Sequence, residues 1–310
     1  MKVLITGGSG LVGSEFANLE TNHELILLSR SDVNLLNYKD TLLFFQKAKP
    51  DAIIHLAAKV GGVKANTEFV AEFYRDNVQM NINVMEVARI LGCKLVSAMS
   101  TCIYPDAKYV DYPITENQLH LGPPHDSNFG YAYAKRMLDI QARSYRQQWG
   151  CNFINVIPNN LYGPNDNYDL ESGHVIPSLV RKFSEAKFNN LDSVVMWGTG
   201  VPMREFTFAR DASKIILWLL ENYDEKEPIN IGCTDEICIR DLSEKIKKIV
   251  GYNGKIVWDS SKPEGQFRKP TSNANLIKLG WKEKYTQLDD GLLQTIKHFE
   301  SQYPKLRGIK

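Results

Sequence analysis

Ser100, Tyr131 and Lys135 are residue types that together suit the reduction of a carbonyl or the oxidation of an alcohol. Tyr131 and Lys135 stand i, i+4, which places both on one face of a helix. An ammonium beside a phenol favours the phenolate, so Lys135 is expected to lower the Tyr131 pKa from its reference of about 10. Tyr131 then exchanges a proton near neutral pH. Ser100, at the C-terminal end of a strand, hydrogen-bonds the same carbonyl oxygen. Chain order supports the set: a glycine loop, then Ser100, then Tyr131-x-x-x-Lys135.

Cys102 follows Ser100 by two positions. On an extended segment that spacing points both side chains to one face and sets a thiol beside the carbonyl. A ketone acidifies its neighbouring carbons, and a thiolate or imidazole over one of them removes its proton. Tyr131 and Lys135 would hold the enolate. Inversion at such a carbon needs a second group on the opposite face, and His174 is the candidate. Alone, each residue has a plainer role, the cysteine as a small buried hydrophobe and the histidine as a satisfied polar group.

The glycine loop is TGGSGLVG at 6–13, directly after the apolar run KVLIT. Gly7, Gly10 and Gly13 stand in GxxGxxG spacing, with Leu11 and Val12 between the last two. Glycine serves where a backbone turns tightly against a pyrophosphate, whose charge rests on the next helix N-terminus. A structural turn is the bland reading of a lone triplet, and the position after a first strand argues against it. NAD-selective sites carry an acid at the end of the second strand for the ribose 2′-hydroxyl. Here that strand ends Leu28, Ser29, Arg30. An arginine suits a 2′-phosphate by bidentate bonding, which favours NADPH over NADH. A solvated cation is the alternative for Arg30, and nearby Asp32 leaves an NAD role open. Ala57 and Ala58, in HLAA at 55–58, are small enough for backbone to pass a dinucleotide, or else pack the core.

The elements that must position these residues alternate. Apolar, β-rich runs at 2–6, 24–29, 51–57, 94–100 and 152–158 are separated by helical stretches, which predicts a Rossmann-type doubly wound parallel sheet in an α/β protein. After residue 158 Gly, Pro and Asn cluster, marking a smaller C-terminal α/β substrate domain. The helix at 212–223 and the strand at 228–232 are expected to return to the main sheet. The expected division is 1–158 plus about 206–232 for the NADP-binding domain, and 159–205 plus about 233–310 for the sugar-nucleotide domain. DLSEKIKKIV at 241–250 reads as a helix capped by Asp241.

Composition narrows the class. Hydrophobic residues at 43% and charged residues at 24% match a soluble globular chain, and 310 residues bury a sizeable core. A net charge of +1 gives no reason to expect nucleic acid. No apolar run has membrane-spanning length and no signal-peptide pattern opens the chain, so a cytoplasmic protein with no membrane partner is expected. Five cysteines without a CxxC pair support neither a disulfide framework nor a thiolate metal site.

With these residues in hand, the chain resembles the extended short-chain dehydrogenase/reductases and, within them, the GDP-L-fucose synthases. TGGSGLVG, HLAAKVGG, STCIYP, GYAYAKRM, NLYGPND, GHVIPSL, WGTGVPMREF and KPEGQFRKP carry the resemblance nearly end to end. It implies NADP(H) as cofactor, a GDP-linked 4-keto sugar as substrate and a homodimer. It also implies that Ser100, Tyr131 and Lys135 assist hydride transfer, and that Cys102 and His174 are base and acid for epimerisation at C3 and C5. Asn160, Val175, Trp197, Arg204 and Lys269 match substrate-binding positions, the two cations suiting a diphosphate.

The expected activity is therefore that of a 3,5-epimerase/4-reductase. The alternative is a C4-reductase acting on a GDP-4-keto-heptose or another pre-epimerised GDP-4-keto sugar. A dehydratase would carry acids after the catalytic Ser, where this chain has Cys102 and Ile103. Departures from the family stand at Asn159 and Asn160 in PNN for PTN, at Asn165 for His, and at Lys64 for an apolar residue. They are expected to gather around the sugar.

Overall fold

The computed structural model describes residues 1–262 and 266–309, so residues 263–265 of KPEGQFRKP lie outside the described residues. The strands are β1 Lys2–Thr6, β2 Glu24–Leu28, β3 Ala52–His55, β4 Lys94–Ala98, β5 Phe153–Pro158, β6 Asn160–Tyr162, β7 Ser193–Trp197, β8 Met203–Phe208, β9 Ile229–Ile231, β10 Glu236–Cys238 and β11 Lys255–Asp259. The α-helices are α1 Tyr38–Ala48, α2 Val63–Glu68, α3 Val70–Leu91, α4 Phe129–Trp149, α5 Val175–Phe188, α6 Ala209–Asn222, α7 Ile239–Val250, α8 Ala274–Leu279 and α9 Leu288–Gln302.

Six strands form one parallel sheet in the order β2-β1-β3-β4-β5-β9, as the α/β reading expects. The order reverses beside β1, and ligands of open α/β sheets bind at such a switch point, beyond the strand C-termini. The period-two alternation of the strands separates the two faces. Leu4, Ile53, Leu95 and Phe153 pack with Val84, Met85 and Leu138 of α3 and α4. Val3, Ile5, Ile54, Val96 and Ile154 pack with Ile215, Ile216, Leu219 and Leu220 of α6. A third core, with Phe183, Met196, Phe206, Phe208, Leu242, Ile246 and Phe299, joins α5, α7 and α9 to β7 and β8.

α4 positions the tyrosine and lysine. Its buried face runs through Tyr131, Ala134, Lys135, Leu138 and Ala142, the three-and-four spacing of a helix laid on a sheet, and Gly150 ends it in the left-handed region. α7 differs from expectation at its start. Its N-cap is Cys238, whose Sγ accepts the Asp241 N–H, and Asp241 lies in the first turn. There its charge still faces the positive end of the helix dipole. Among the described residues, no helix is long and apolar enough to cross a membrane.

Candidate active site

The glycine loop folds back under the end of β3. Gly7 has φ +74, and a Cβ there would lie 2.9 Å from the Ala57 amide nitrogen. A Cβ at Gly13 would overlap the Gly7 carbonyl oxygen. Both positions therefore require glycine, one by conformation and one by close approach. The loop leads into a 3-10 helix, Gly13–Asn18, rather than an α-helix. Thr6 ties the loop to β3, its Oγ1 accepting from the Ala57 N–H at 3.2 Å and meeting His55 Nδ1 at 2.8 Å.

Gly7, Gly10, Leu11, Val12, Gly13, Arg30, Ala57 and Ala58 line one end of a cavity of about 1090 Å³. Ser100, Cys102, Tyr131, Lys135, Asn160, His174, Val175, Trp197, Arg204 and Lys269 line the rest of it. Tertiary structure thus gathers every candidate residue around one space. Arg30 is exposed on this wall. Asp32 is turned away: its carboxylate accepts from the Ser29 N–H at 2.8 Å and the Ser29 hydroxyl at 2.5 Å, which hold its pKa down.

Ser100 lies just past the end of β4, with extended backbone. The chain then turns into the 3-10 segment Thr101–Ile103, so Ser100 and Cys102 do not share an extended strand. The tight turn nevertheless sets the thiol within hydrogen-bond reach of the Ser100 side chain. Cys102 packs against the small cluster of Ala65, Phe73 and Tyr131. Burial pushes the thiol pKa up, with Ser100, Lys269, Lys135 and Arg136 opposing.

The phenol departs from the sequence reading. Burial raises the Tyr131 pKa well above the ordinary value, and the Cys102 thiol adds to this. Lys135 Nζ donates to the Ala98 carbonyl at 2.8 Å. Lys135 is 2% exposed, and burial brings its own pKa from 10.5 to about 8. Tyr131 therefore rests as a proton donor. His174 is the N-cap residue of α5. Its side chain is solvent-exposed at the cavity wall, and desolvation by the surrounding protein, then Arg307, lowers its pKa. The resting pair is thus thiol and neutral imidazole.

Arg204 and Lys269 are two mostly enclosed cations. Among the described residues, Arg204 Nη1 donates to the carbonyls of Met203 at 2.6 Å and Phe267 at 3.3 Å. Burial lowers the Lys269 pKa to about 8, with Cys102 opposing and Arg204 adding to the fall. Charges held this way are matched by an anionic ligand. Trp197, 57% exposed, presents a ring at the rim.

Several cavity residues are not among the candidates singled out in the sequence. Glu205, 3% exposed, accepts from the Thr271 N–H at 2.9 Å and the Thr271 hydroxyl at 2.7 Å, which anchors the segment bearing Lys269. Asp166 is buried, and desolvation raises its pKa to about 7 against the pull of the Asn167 N–H and Arg307. His125 lines the wall between the Cys102 turn and α4. Asp166 falls within NLYGPND and Glu205 within WGTGVPMREF, whereas His125 lies outside every such segment.

The departures from the family pattern do not all surround the cavity. Asn165 donates to Ser14 Oγ at 3.0 Å, on the glycine-loop side. Lys64 pairs with Glu171 at 2.9 Å and is absent from the lining. Asn159 spends its amide on the Cys233 carbonyl at 2.6 Å and Glu205 at 3.3 Å, and its oxygen on Thr207 at 2.6 Å. Asn160 donates to the Glu205 carbonyl at 2.8 Å.

A parallel doubly wound sheet with a glycine cradle at its switch point, and a Ser, Tyr and Lys at its C-terminal edge, defines a dinucleotide-dependent oxidoreductase. More narrowly, the chain belongs to the NAD dependent epimerase/dehydratase family, whose profile matches residues 3–232. It is similar to the GDP-L-fucose synthase of Dictyostelium discoideum, with 41% identity over 98% of this chain and 97% of that one. Among solved structures it is similar to a GDP-L-fucose synthetase from Naegleria fowleri bound to NADP, at a TM-score of 0.92 and 38% identity over 98% and 94% of the two chains. A GDP-6-OMe-4-keto-L-xylo-heptose reductase from C. jejuni gives a TM-score of 0.88 and 27% identity over 97% of this chain and 98% of that chain.

Proposed function

We propose that this protein is an NADPH-dependent 3,5-epimerase/4-reductase of a GDP-4-keto-6-deoxy sugar, producing GDP-L-fucose or a close analogue. One observation carries the reading: a single cavity holds Ser100, Cys102, Tyr131, Lys135 and His174 together with the cations Arg204 and Lys269. The residues present fit the cofactor: Gly7 and Gly13, where a Cβ would run into the Ala57 amide or the Gly7 carbonyl, let the loop fold tightly beside the cavity, and Arg30 lines the same space as a cation suited to a 2′-phosphate. NADPH, when bound, supplies the hydride.

The protein's own groups do the rest. Arg204 and Lys269 hold the diphosphate, and Asn160, Val175 and Trp197 border the sugar. The working acid/base pair is thiolate and imidazolium; burial opposes both charges, and Lys269, Lys135 and Arg136 offset part of that cost for the thiolate. Cys102 takes the proton from C3 or C5 and His174 returns one on the other face, while Ser100 and Tyr131 hydrogen-bond the enolate oxygen. Once the carbonyl at C4 is reduced, Tyr131 gives its proton to the new alkoxide, and Lys135 steadies the phenolate left behind.

The division into an NADP-binding unit, 1–158 with about 206–232, and a sugar-nucleotide unit from the remainder belongs to the same reading, supported by β9 pairing with β5. We also propose a homodimer through α3 and α4, where Tyr74, Phe129, Tyr133, Met137 and Ile140 are exposed apolar residues. Sedimentation as a monomer would refute it. The reaction belongs in the cytoplasm, ahead of polysaccharide or glycoconjugate synthesis.

A second reading, a C4-reductase of a GDP-4-keto-heptose or pre-epimerised sugar, draws on the likeness to the heptose reductase and on Asn159 and Asn160 at the cavity wall. One experiment separates them: incubation with GDP-4-keto-6-deoxymannose and NADPH in deuterated water. Deuterium at C3 and C5 with NADPH consumption supports the bifunctional enzyme. Consumption without deuterium favours the reductase, and no consumption refutes the first reading.

A further inference from the structure

Residues 122–128 run between the two segments that carry the proton-handling side chains. On one side they are stitched to the chain leaving Cys102. The Asp106 N–H donates to the Pro123 carbonyl at 2.9 Å, and Pro105 bridges Pro124. Arg136 joins the carbonyls of Gly122, at 2.8 Å, and Ile103, at 2.9 Å. On the other side the stretch passes through the 3-10 turn Asp126–Asn128 into α4, and so to Tyr131. His125 sits within this bridge and lines the cavity.

The His125 ring is held in one tautomer. As the N-cap of the 3-10 turn, its Nδ1 accepts the Ser127 backbone N–H at 3.2 Å and meets the Ser127 hydroxyl at 2.9 Å. A ring nitrogen that accepts a backbone N–H carries no proton, so the neutral ring bears its hydrogen on Nε2. Among the described residues, both hydrogen bonds of this ring go through Nδ1 and none through Nε2.

We infer that His125 donates its Nε2–H to a hydroxyl oxygen of the sugar, and so reads the sugar rather than the nucleotide. The inference rests on the proposed function, which sets the sugar between Cys102 and Tyr131. A single N–H donor held by a cap suits a hydroxyl acceptor, whereas the diphosphate is matched by Arg204 and Lys269. Capping fixes the donor before the substrate arrives, so no ring flip is needed on binding.

Two amide variants separate the cap from the donor. In His125→Asn, the side-chain oxygen replaces Nδ1 and keeps a favoured N-cap, but the Nε2 donor is gone. In His125→Gln, the longer amide returns an N–H near the Nε2 position while weakening the cap. KM for GDP-4-keto-6-deoxymannose should rise about tenfold in His125→Asn, the effect of one neutral hydrogen bond. The inhibition constant of GDP and the Kd of NADPH should stay as in the wild type. His125→Gln should recover most of the KM loss and melt at a lower temperature.

A folded His125→Asn with wild-type KM would overturn the inference and leave His125 a cap alone. A parallel rise in the GDP inhibition constant would overturn it too, because the diphosphate would then be what His125 senses. If the wild type neither binds nor reduces the GDP-ketose, the proposed function falls and takes this inference with it.

Discussion

Replacing Lys135 with methionine should abolish reduction yet cost the apoenzyme little stability near neutral pH, with a pH dependence that the structure sets. The lysine is 2% exposed, and burial brings its pKa from 10.5 to about 8. Holding the charge inside therefore costs roughly 3 kcal/mol at pH 7, at about 1.36 kcal/mol per pKa unit. Removing the ammonium relieves that cost but strands the Ala98 carbonyl, which Nζ reaches at 2.8 Å. The stranded acceptor costs about 1–3 kcal/mol. The net change at pH 7 is thus between zero and about 2 kcal/mol in favour of the variant.

The change with pH is sharper, because the stranded carbonyl contributes equally at every pH. Between about 8 and 10.5 the unfolded chain holds a proton on this lysine that the folded enzyme has released. Wild-type stability therefore rises across that window, while the variant lacks the group and shows no such rise. The advantage of Lys135→Met over wild type should fall by about 2.5 kcal/mol from pH 7 to pH 10, measured by urea unfolding of both apoenzymes. A stability difference that stays flat across that range would refute a depressed Lys135 pKa and the resting state argued from it.

Cys102→Ser should suppress deuterium incorporation at C3 and C5 by at least about 100-fold, while reduction of an already epimerised ketone falls far less. Equal losses in the two assays would place the thiol in hydride transfer instead. Arg30→Ala should weaken NADPH by about tenfold or more and leave NADH nearly unchanged, read by fluorescence titration; equal losses would mean that Arg30 does not meet the 2′-phosphate. Lys269→Met should raise KM for the GDP-ketose by roughly 10- to 150-fold with kcat little changed, the effect of one charge-assisted bond. In the wild type, affinity for GDP should decline above about pH 8 as Lys269 loses its proton, and a decline surviving in Lys269→Met would assign it elsewhere.

Most of the architecture was legible in the chain because it is written in short-range periodicity. The five apolar runs become β1 to β5 within a residue or two at each end, since a strand buried on both faces needs an unbroken apolar run. The glycines of residues 6–13, the helical spacing of Tyr131 and Lys135, and the position of Ser100 after a strand are local patterns too. Backbone geometry alone ties them to the C-terminal edge of the sheet.

Tertiary structure decided what depends on distance across the fold. The Tyr131 pKa rises because burial and Cys102 act where the i, i+4 rule anticipated only Lys135, whose Nζ meets the Ala98 carbonyl at the end of β4. Cys102 meets Ser100 through a 3-10 turn rather than along a strand. Asn165 reaches Ser14, and Glu205 anchors Thr271, across stretches of chain in which no pattern links the partners. Residue types and spacing therefore fixed which groups are present and on which face of an element they stand. Protonation, tautomer and partner choice follow from desolvation and from charges brought near by folding, and those quantities exist only once the elements have packed.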